Sequence, residues 1–499
     1  MAHSVLGGYA PAAVLRCFEA ICAIPHVSGD ERALADYVEA FARARGLATY
    51  RDRVHNVFVR LPASAGCEAA PAVLLQGHLD MVGEKAAESA HDFAIDGLTL
   101  SVDEDGWISA DGTTLGGDDG IAVAMMLAVL EDPPACHPAV ECLFTVSEEI
   151  GLEGAWAFDP VAAGVTAPTM INLDSEAEGV LTAGCAGGMR TDIRLPLTAE
   201  PVSDGATALT VSLSGLSGGH SGVEIHEGHT NAIKLLARLL RALPAAPDCQ
   251  LARLAGGGKD NAIPRDATAT LVLPADKAAA VAAILAAEAN RVRTEPNTIP
   301  ADRGFTCDIE VTPAPAYCLD AASDLRARAA LSHLRDGVLA MNAHVAGLVA
   351  YSRNLGVVTT EVDASGSPTG LCLTLSTRSA VDSHLDDAER ELSDMAALLG
   401  GTATHRARYP GWDYAPVSPL RDTWSRVSED LYGVTPRIEV IHAGLECGIL
   451  SSKHPGMDII SVGPDMRDIH TPAERLSIPS VERTYRILCE VISRLAEKR

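Results

Sequence analysis

The chain has 499 residues, 47% of them apolar, so it is globular and long enough for two or more domains. Its 66 acidic residues outnumber 39 basic ones for a formal net charge of −27, which argues against binding a nucleic-acid backbone and indicates a soluble, self-repelling surface. No stretch approaches the ~18 uninterrupted apolar residues of a membrane helix, and Met1-Ala2-His3-Ser4 lacks a basic region ahead of an apolar core, so neither a membrane span nor a secretory signal is expected.

The first elements alternate between helix and strand. Ser28-Gly29-Asp30-Glu31 has the form of a capping box, and Leu34, Val38, Phe41 and Ala42 follow at helical spacing. Strands are expected at Val57 to Leu61 and Ala72 to Gln76, a buried helix at Gly120 to Leu130, and further strands at Ala139 to Val146 and Thr169 to Leu173. This alternation predicts an α/β layer on a largely parallel sheet. After Cys185-Ala186-Gly187-Gly188 the pattern changes. A strand at Leu209 to Leu213, a helix at Asn231 to Leu243, a strand at Ala267 to Leu273 and a helix at Lys277 to Ala289 form one set. A second set follows: strand Thr306 to Val311, helix Leu325 to Leu348, strands near Val357 to Val362 and Leu371 to Ser376, and helix Asp386 to Leu399. Two such sets suggest a duplicated α+β insert. Around Arg406 to Trp412 the chain returns to the first domain, completed by Ile438 to Ile441, Asp458 to Val462 and a final helix at Val481 to Leu495. The expected division is 1–188 and 406–499 for the catalytic domain and 189–405 for the insert.

Chemistry concentrates at the ends of the first domain's strands. His78-Leu79-Asp80 closes one of them; residues two apart on a strand face the same way, so an imidazole and a carboxylate project together. Asp118-Asp119 follows Gly116-Gly117 at the start of the buried helix. Glu148-Glu149 follows the next strand, where adjacent side chains diverge and one acid can bind metal while the other faces substrate. Asp174 ends another strand, and His470 follows a late one. Open α/β sheets gather their sites at the carboxyl ends of strands. Two histidines and three carboxylates suit two borderline metals such as zinc, particularly if one carboxylate bridges. The 12 cysteines are scattered without a Cys-x-x-Cys pair, and several, Cys142 among them, sit in apolar runs, so a reduced cytoplasm is expected.

These segments resemble the M20 metallopeptidases of the aminoacyl-histidine dipeptidase group, the cytosolic Xaa-His or carnosine-type dipeptidases. The matching segments include Gln76 to Val82, Thr113 to Gly120, Ser147-Glu148-Glu149, Asn172 to Glu176, Gly218-Gly219-His220-Ser221-Gly222, Asn261 to Arg265, Tyr409 to Trp412, His442 to Gly448 and His470-Thr471-Pro472, in family order over nearly the whole chain. The resemblance implies a zinc-peptidase-like catalytic domain with a mostly parallel central sheet and an inserted α+β lid. It implies two zinc ions, with manganese or cobalt as alternatives, bridged by Asp118. His78 and Asp174 would complete one metal's ligands, and Glu149 and His470 the other's. Asp119 would follow Asp118 through a cis peptide, Asp80 would stand behind His78, and Glu148 would be the general base. From the lid, His220 would stabilise the oxyanion, from a second subunit or from the other half of the doubled insert. Arg378 would bind the substrate carboxylate, with Asn261 beside it, and Glu446 would sit near the substrate amine. Binding groups on a separate lid imply that domain closure assembles the site and excludes water.

The expectation is therefore a cytoplasmic dinuclear metallopeptidase acting on small dipeptides, β-alanyl-histidine included, with no nucleic-acid or membrane partner and a possible homodimer through the lid. The alternatives are another amide hydrolase on the same scaffold, an acyl-amino-acid deacylase or tripeptidase, or a metal-binding scaffold without catalysis. Glu148 argues against the last, since no ligand set requires that second acid.

Overall fold

The computed structural model describes residues 4–244, 248–343, 345 and 347–497. It divides into one unit of Met1–Cys185, Trp412–Val440 and Leu445–Arg499, and a second of Ala186–Gly411 and Ile441–Gly444. No described helix is long and apolar enough to cross a membrane.

The first unit is built on eight strands in the order Ala48–Arg51, Val57–Leu61, Val140–Thr145, Val73–His78, Thr169–Asn172, Asp458–Ser461, Val180–Cys185 and Arg437–Ile441. The four central strands, Val140–Thr145 to Asp458–Ser461, run parallel, and the pairings flanking them are antiparallel. Val73–His78 and Val140–Thr145 are buried along their whole length, as parallel strands covered on both faces must be. The helix Gly117–Glu131 is buried from Gly117 to Leu130, which explains its lack of a polar stripe. Asp118 and Asp119 depart from helical dihedrals at its start, and the peptide between them is cis.

Two local expectations are corrected here. Ser28-Gly29-Asp30-Glu31 is not a capping box: the helix begins at Arg32, Glu31 stands at its N-cap without a side-chain cap bond, and both side chains bond elsewhere. His470 does not sit at the end of its preceding sheet strand. It lies between Met466–Arg467 and Arg475–Ser477, a hairpin in a separate four-stranded sheet with Trp107–Ala110 and Leu100–Val102.

The second unit contains two βαββαβ halves in one sheet. The first half comprises Ala206–Ser214, helix Ala232–Arg241, Gln250–Gly256, Ala267–Pro274, helix Ala278–Val292 and Thr306–Thr312. The second comprises Gly187–Pro196, helix Ala321–His333, Val349–Val362, Pro368–Ser379, helix Asp382–Leu398 and Thr402–Tyr409. In each half the sheet order is fourth, first, third, second, and the halves meet through their second strands, Ala255 opposite Thr359 and Gly256 opposite Val358. A Cβ at Gly257, whose φ is +67°, would collide with the Gly356 carbonyl, so only glycine permits this approach. The two halves share one apolar core that includes Ile193, Leu209, Leu271, Leu355, Leu373 and Leu392.

The duplicated insert is thus present as architecture, but its seam differs from the sequence reading. Thr306–Thr312 closes the first half by pairing with Ala206–Ser214, and Gly187–Pro196 opens the second by pairing with Pro368–Ser379. One half is inserted inside the other. The return to the first unit falls after Gly411 rather than at 405, because Thr402–Tyr409 pairs with Gly187–Pro196 as an edge strand. The helix expected to reach Leu348 ends at His333; Gly337, at φ +88°, opens the strand Gly337–Met341, which pairs with Val349–Val362. Residues 344 and 346 of that expected helix lie outside the described residues.

Candidate metal centre and lid residues

Parallel pairing brings the carboxyl ends of Val73–His78, Val140–Thr145 and Thr169–Asn172 to one edge, and with them His78, Glu148-Glu149 and Asp174. Asp118 lies between the two histidines. His78 Nε2 is 3.1 Å from Asp118 Oδ1, and His470 Nε2 is 3.1 Å from Asp118 Oδ2. His78 Nε2 is also 3.6 Å from Asp174 Oδ1, and His470 Nε2 is 2.7 Å from Glu149 Oε1. One carboxylate therefore serves both imidazoles, and each imidazole has one further acid of its own. His78, Asp118 and Glu149, and His78, Asp119 and Asp174, each bring ligand atoms within 4.8 Å of one another.

The electrostatics call for cations. Burial pushes the Asp174 carboxyl up to about 7, with the charge of Asp118 adding to the rise and His78 opposing it. Burial raises Glu148 well above the carboxylate range, against His78 and with the charges of Asp174, Glu446 and Glu149. Burial also opposes ionisation of Asp118, but the bonds from His470 and His78 outweigh it and hold its carboxyl below the usual range. His470 is pushed up to about 10 by its bonds to Asp118 and Glu149. The ion pairs of these acids involve only the two histidines, with no Lys or Arg partner among the described residues. Oxygen and imidazole donors in this number, around a surplus of buried negative charge, fit two divalent ions.

The tautomer of His78 follows from its other nitrogen. Nδ1 lies 2.9 Å from the Asp80 carbonyl and 3.3 Å from Asp80 Oδ1, both acceptors, so it carries the proton and leaves Nε2 free as a ligand. Asp80, 1% exposed, also accepts from Glu148 N (2.9 Å), Glu149 N (3.2 Å) and Ser28 Oγ (2.8 Å). It therefore holds His78 and the Glu148-Glu149 turn together. Ser147 sits at φ +53°, and Glu31 Oε1 accepts both its N–H (3.0 Å) and its hydroxyl (2.9 Å). The Glu31 carboxylate secures a conformation that a serine rarely adopts.

Glu474 supports the opposite side. Its carboxylate, 3% exposed, accepts from the N–H groups of Leu115 (2.9 Å), Gly116 (3.2 Å) and Gly117 (2.8 Å), the turn that delivers Asp118. Glu446 is fully buried; its Oε2 accepts from Gln76 Nε2 and Thr145 Oγ1, both at 2.6 Å, while Oε1 has no partner. Burial pushes its carboxyl up to about 7. The sequence pattern marks Ser28 and Glu31 only as a helix cap and does not single out Glu474.

The other expected residues belong to the second unit. His220, in the first half, forms a bridge opposite Ala262, and Ser221 N donates to the Asn261 carbonyl at 2.9 Å. This places Asn261 beside the His220 turn. Val223 N donates to His220 Nδ1 at 3.0 Å, so the neutral ring carries its proton on Nε2. Burial and the charge of Arg378 both hold His220 below the usual imidazole range. Arg378 comes from the second half, is 5% exposed, and donates from Nη1 to the Tyr409 hydroxyl at 3.1 Å, with Nε unpartnered. A Cβ at Gly222 would lie 2.9 Å from Arg378 Nε and 3.0 Å from His220 Cε1, so the two halves bring this histidine and arginine together within one chain. His442 joins them: burial, followed by the Arg378 and His220 charges, pushes it down to about 3, and its Nε2 lies 2.7 Å from Ser352 Oγ.

Residues 211–300 match the peptidase dimerisation domain of the M20 family. The chain is 36% identical over 495 residues to the cytosol non-specific dipeptidase of Escherichia coli, covering 99% of this chain and 100% of that one. The crystal structure of aminoacylhistidine dipeptidase from Vibrio alginolyticus superposes with a TM-score of 0.92 at 35% identity, covering 100% of this chain and 99% of the other. A tripeptidase from Staphylococcus aureus, 15% identical with a TM-score of 0.57 over 98% of this chain and 100% of its own, shares the fold. With end-to-end likeness to the Escherichia coli relative and a shared carboxylate between two histidines, the chain belongs to the M20 family and is a metal-dependent dipeptidase.

Proposed function

We propose that the chain hydrolyses dipeptides of the Xaa-His type, β-alanyl-histidine included, with two divalent ions, zinc foremost, and Glu148 as general base. The observation that carries this reading is the Asp118 carboxylate, one oxygen toward His78 and the other toward His470. His78, Asp174 and Asp118 would hold one ion, and His470, Glu149 and Asp118 the other. Bound there, such a pair would supply Lewis-acid chemistry, polarising the scissile carbonyl and making an attacking water more acidic.

Glu148 takes the proton from that water and returns it to the departing amine nitrogen. Burial among acids gives Glu148 a high proton affinity, which suits a group that must both accept and release a proton. His220 donates its Nε2–H to the oxyanion of the tetrahedral intermediate. The Arg378 guanidinium, with Nε unengaged, binds the substrate's terminal carboxylate, and Asn261 assists. Glu446 Oε1, the oxygen left without a partner, takes the substrate ammonium. The setting is cytoplasmic, as for the Escherichia coli relative.

The test is hydrolysis of a dipeptide panel, β-alanyl-histidine included, by metal-depleted protein with zinc, manganese or cobalt restored. Turnover restored by metal, with Xaa-His substrates preferred, is expected. No turnover of any dipeptide would overturn the reading. Preference for acyl-amino acids would favour a deacylase, and activity surviving in Glu148→Ala at unchanged metal content would remove Glu148 as the base.

A further inference from the structure

Cys67 and Cys136 lie on two surface connections at the end of the sheet opposite the candidate metal centre. The first connection leads into Val73–His78 and the second into Val140–Thr145, the parallel neighbours that carry His78 and Glu148-Glu149 at their far ends. The two sulfurs are 2.7 Å apart although the residues are 69 positions apart in sequence. Ser64 and His137 hold the loops in this register: Ser64 N donates to the His137 carbonyl at 3.1 Å, and His137 N donates to the Ser64 hydroxyl oxygen at 2.9 Å. Cys67 N turns back to the Ser64 carbonyl at 3.0 Å, which aims its side chain at Cys136.

Accessibility separates this pair from the other cysteines. Of the 12 cysteines, Cys136 alone is exposed, while Cys67, in contact with it, is buried. No step of the proposed reaction uses either thiol. The bonds from Cys136 and Ser64 hold the Cys67 thiol below its usual range, with desolvation opposing them, while the same contact pushes Cys136 up, so Cys67 is the thiolate of the pair, placed to resolve a sulfenic acid on exposed Cys136.

We propose that Cys67 and Cys136 are a redox modification site that closes to a reversible disulfide when a hydroperoxide is present. The Cys136 sulfur, reachable from solvent, attacks the hydroperoxide, whose O–O bond breaks to leave a sulfenic acid on Cys136 and an alcohol or water. The Cys67 thiolate then attacks the sulfenic sulfur, the S–S bond forms, the S–O bond breaks, and water leaves with the thiol proton. Two thiols are oxidised by two electrons, and one hydroperoxide is reduced. In a reducing compartment the pair rests as the dithiol and reopens by thiol exchange. The crosslink ties the roots of two core strands and leaves their catalytic ends untouched, so it acts as a lock on stability rather than on turnover.

Treatment of the metal-loaded protein with hydrogen peroxide, followed by peptide mapping under non-reducing conditions, tests this directly. A linked pair of peptides containing Cys67 and Cys136 is expected, with loss of two hydrogens in mass. Closing a long loop should raise Tm by about 5 °C. Dithiothreitol should reverse the shift, and both Cys67→Ser and Cys136→Ser should abolish it while keeping dipeptidase activity within twofold. Two thiols still open to alkylation after peroxide, or an equal Tm rise in Cys136→Ser, would overturn the proposal. Because mapping reads the linkage itself, its failure is distinct from any failure of the dipeptidase reading.

Discussion

Asp80 offers the sharpest test of how the site is held. Its carboxylate accepts from Ser28 Oγ, Glu148 N and Glu149 N, and approaches His78 Nδ1 to 3.3 Å. Asp80→Ala removes an ionised acceptor and strands buried donors, each bond to a charged group contributing roughly 1.5–3 kcal/mol. The bonds relax together rather than additively, so about 3–4 kcal/mol of positioning is the reasonable total. At about 1.4 kcal/mol per tenfold, kcat should fall by roughly 100- to 1000-fold as Glu148 leaves its place. Metal binding should suffer less, roughly 10-fold, because the Asp80 carbonyl still meets His78 Nδ1 at 2.9 Å in a backbone contact that the substitution spares. Steady-state kinetics with metal content measured on the same sample, alongside His78→Ala, separate the two effects. Asp80→Ala protein that loses its metal while keeping wild-type kcat per bound ion would refute this division of labour.

Two further predictions rest on carboxylates held by their partners. Glu474→Gln replaces an acceptor of three backbone N–H groups with a weaker one, so amides 115–117 should exchange with deuterium about 10-fold faster and metal affinity should drop roughly 10- to 100-fold; unchanged exchange and affinity would show that the turn holds itself. In the second unit, burial opposes ionisation of Glu391, but Arg335 and the buried Arg353 outweigh it and bring its carboxyl down to about 2. The folded state then binds fewer protons than the unfolded one below the ordinary carboxylate range, so this stability is complete above about pH 4.5 and is lost as pH falls toward 2. Glu391→Gln should cost roughly 1–2 kcal/mol at neutral pH, solvent screening of the partly exposed carboxylate reducing the full value, and flatten the acid limb of urea-unfolding curves measured from pH 7 to 3; an acid limb parallel to wild type would contradict the pairing.

How much of this was legible in sequence depended on range. Buried strands announced themselves through apolar runs such as Val73–His78, and the wholly apolar helix behind Asp118-Asp119 did the same, because burial is written locally. Ser28 and Glu31 misled for the same reason. Their spacing satisfies a local rule, yet the structure uses them on Asp80 and Ser147, 52 and 116 positions away. The second unit shows the same limit. Two sets of strands and helices were visible, but the assignment of Thr306–Thr312 to the first half and Gly187–Pro196 to the second follows from pairing between distant strands.

Sequence places His78 at the end of a strand with Asp80 two residues on, a position that lies just past the strand in the structure, and the family resemblance names the acids and the second histidine that join them. Tertiary structure alone decided the rest: the two oxygens of Asp118 turned to two different histidines, and Glu474 beneath the turn that delivers it. It also brought His220 and Arg378 together from separate halves of the second unit. The physical reason is that residue type and spacing set what a side chain can do. Which charges and donors it meets depends on pairings across the whole chain, and in a buried site those partners decide whether a carboxylate binds, supports or moves a proton.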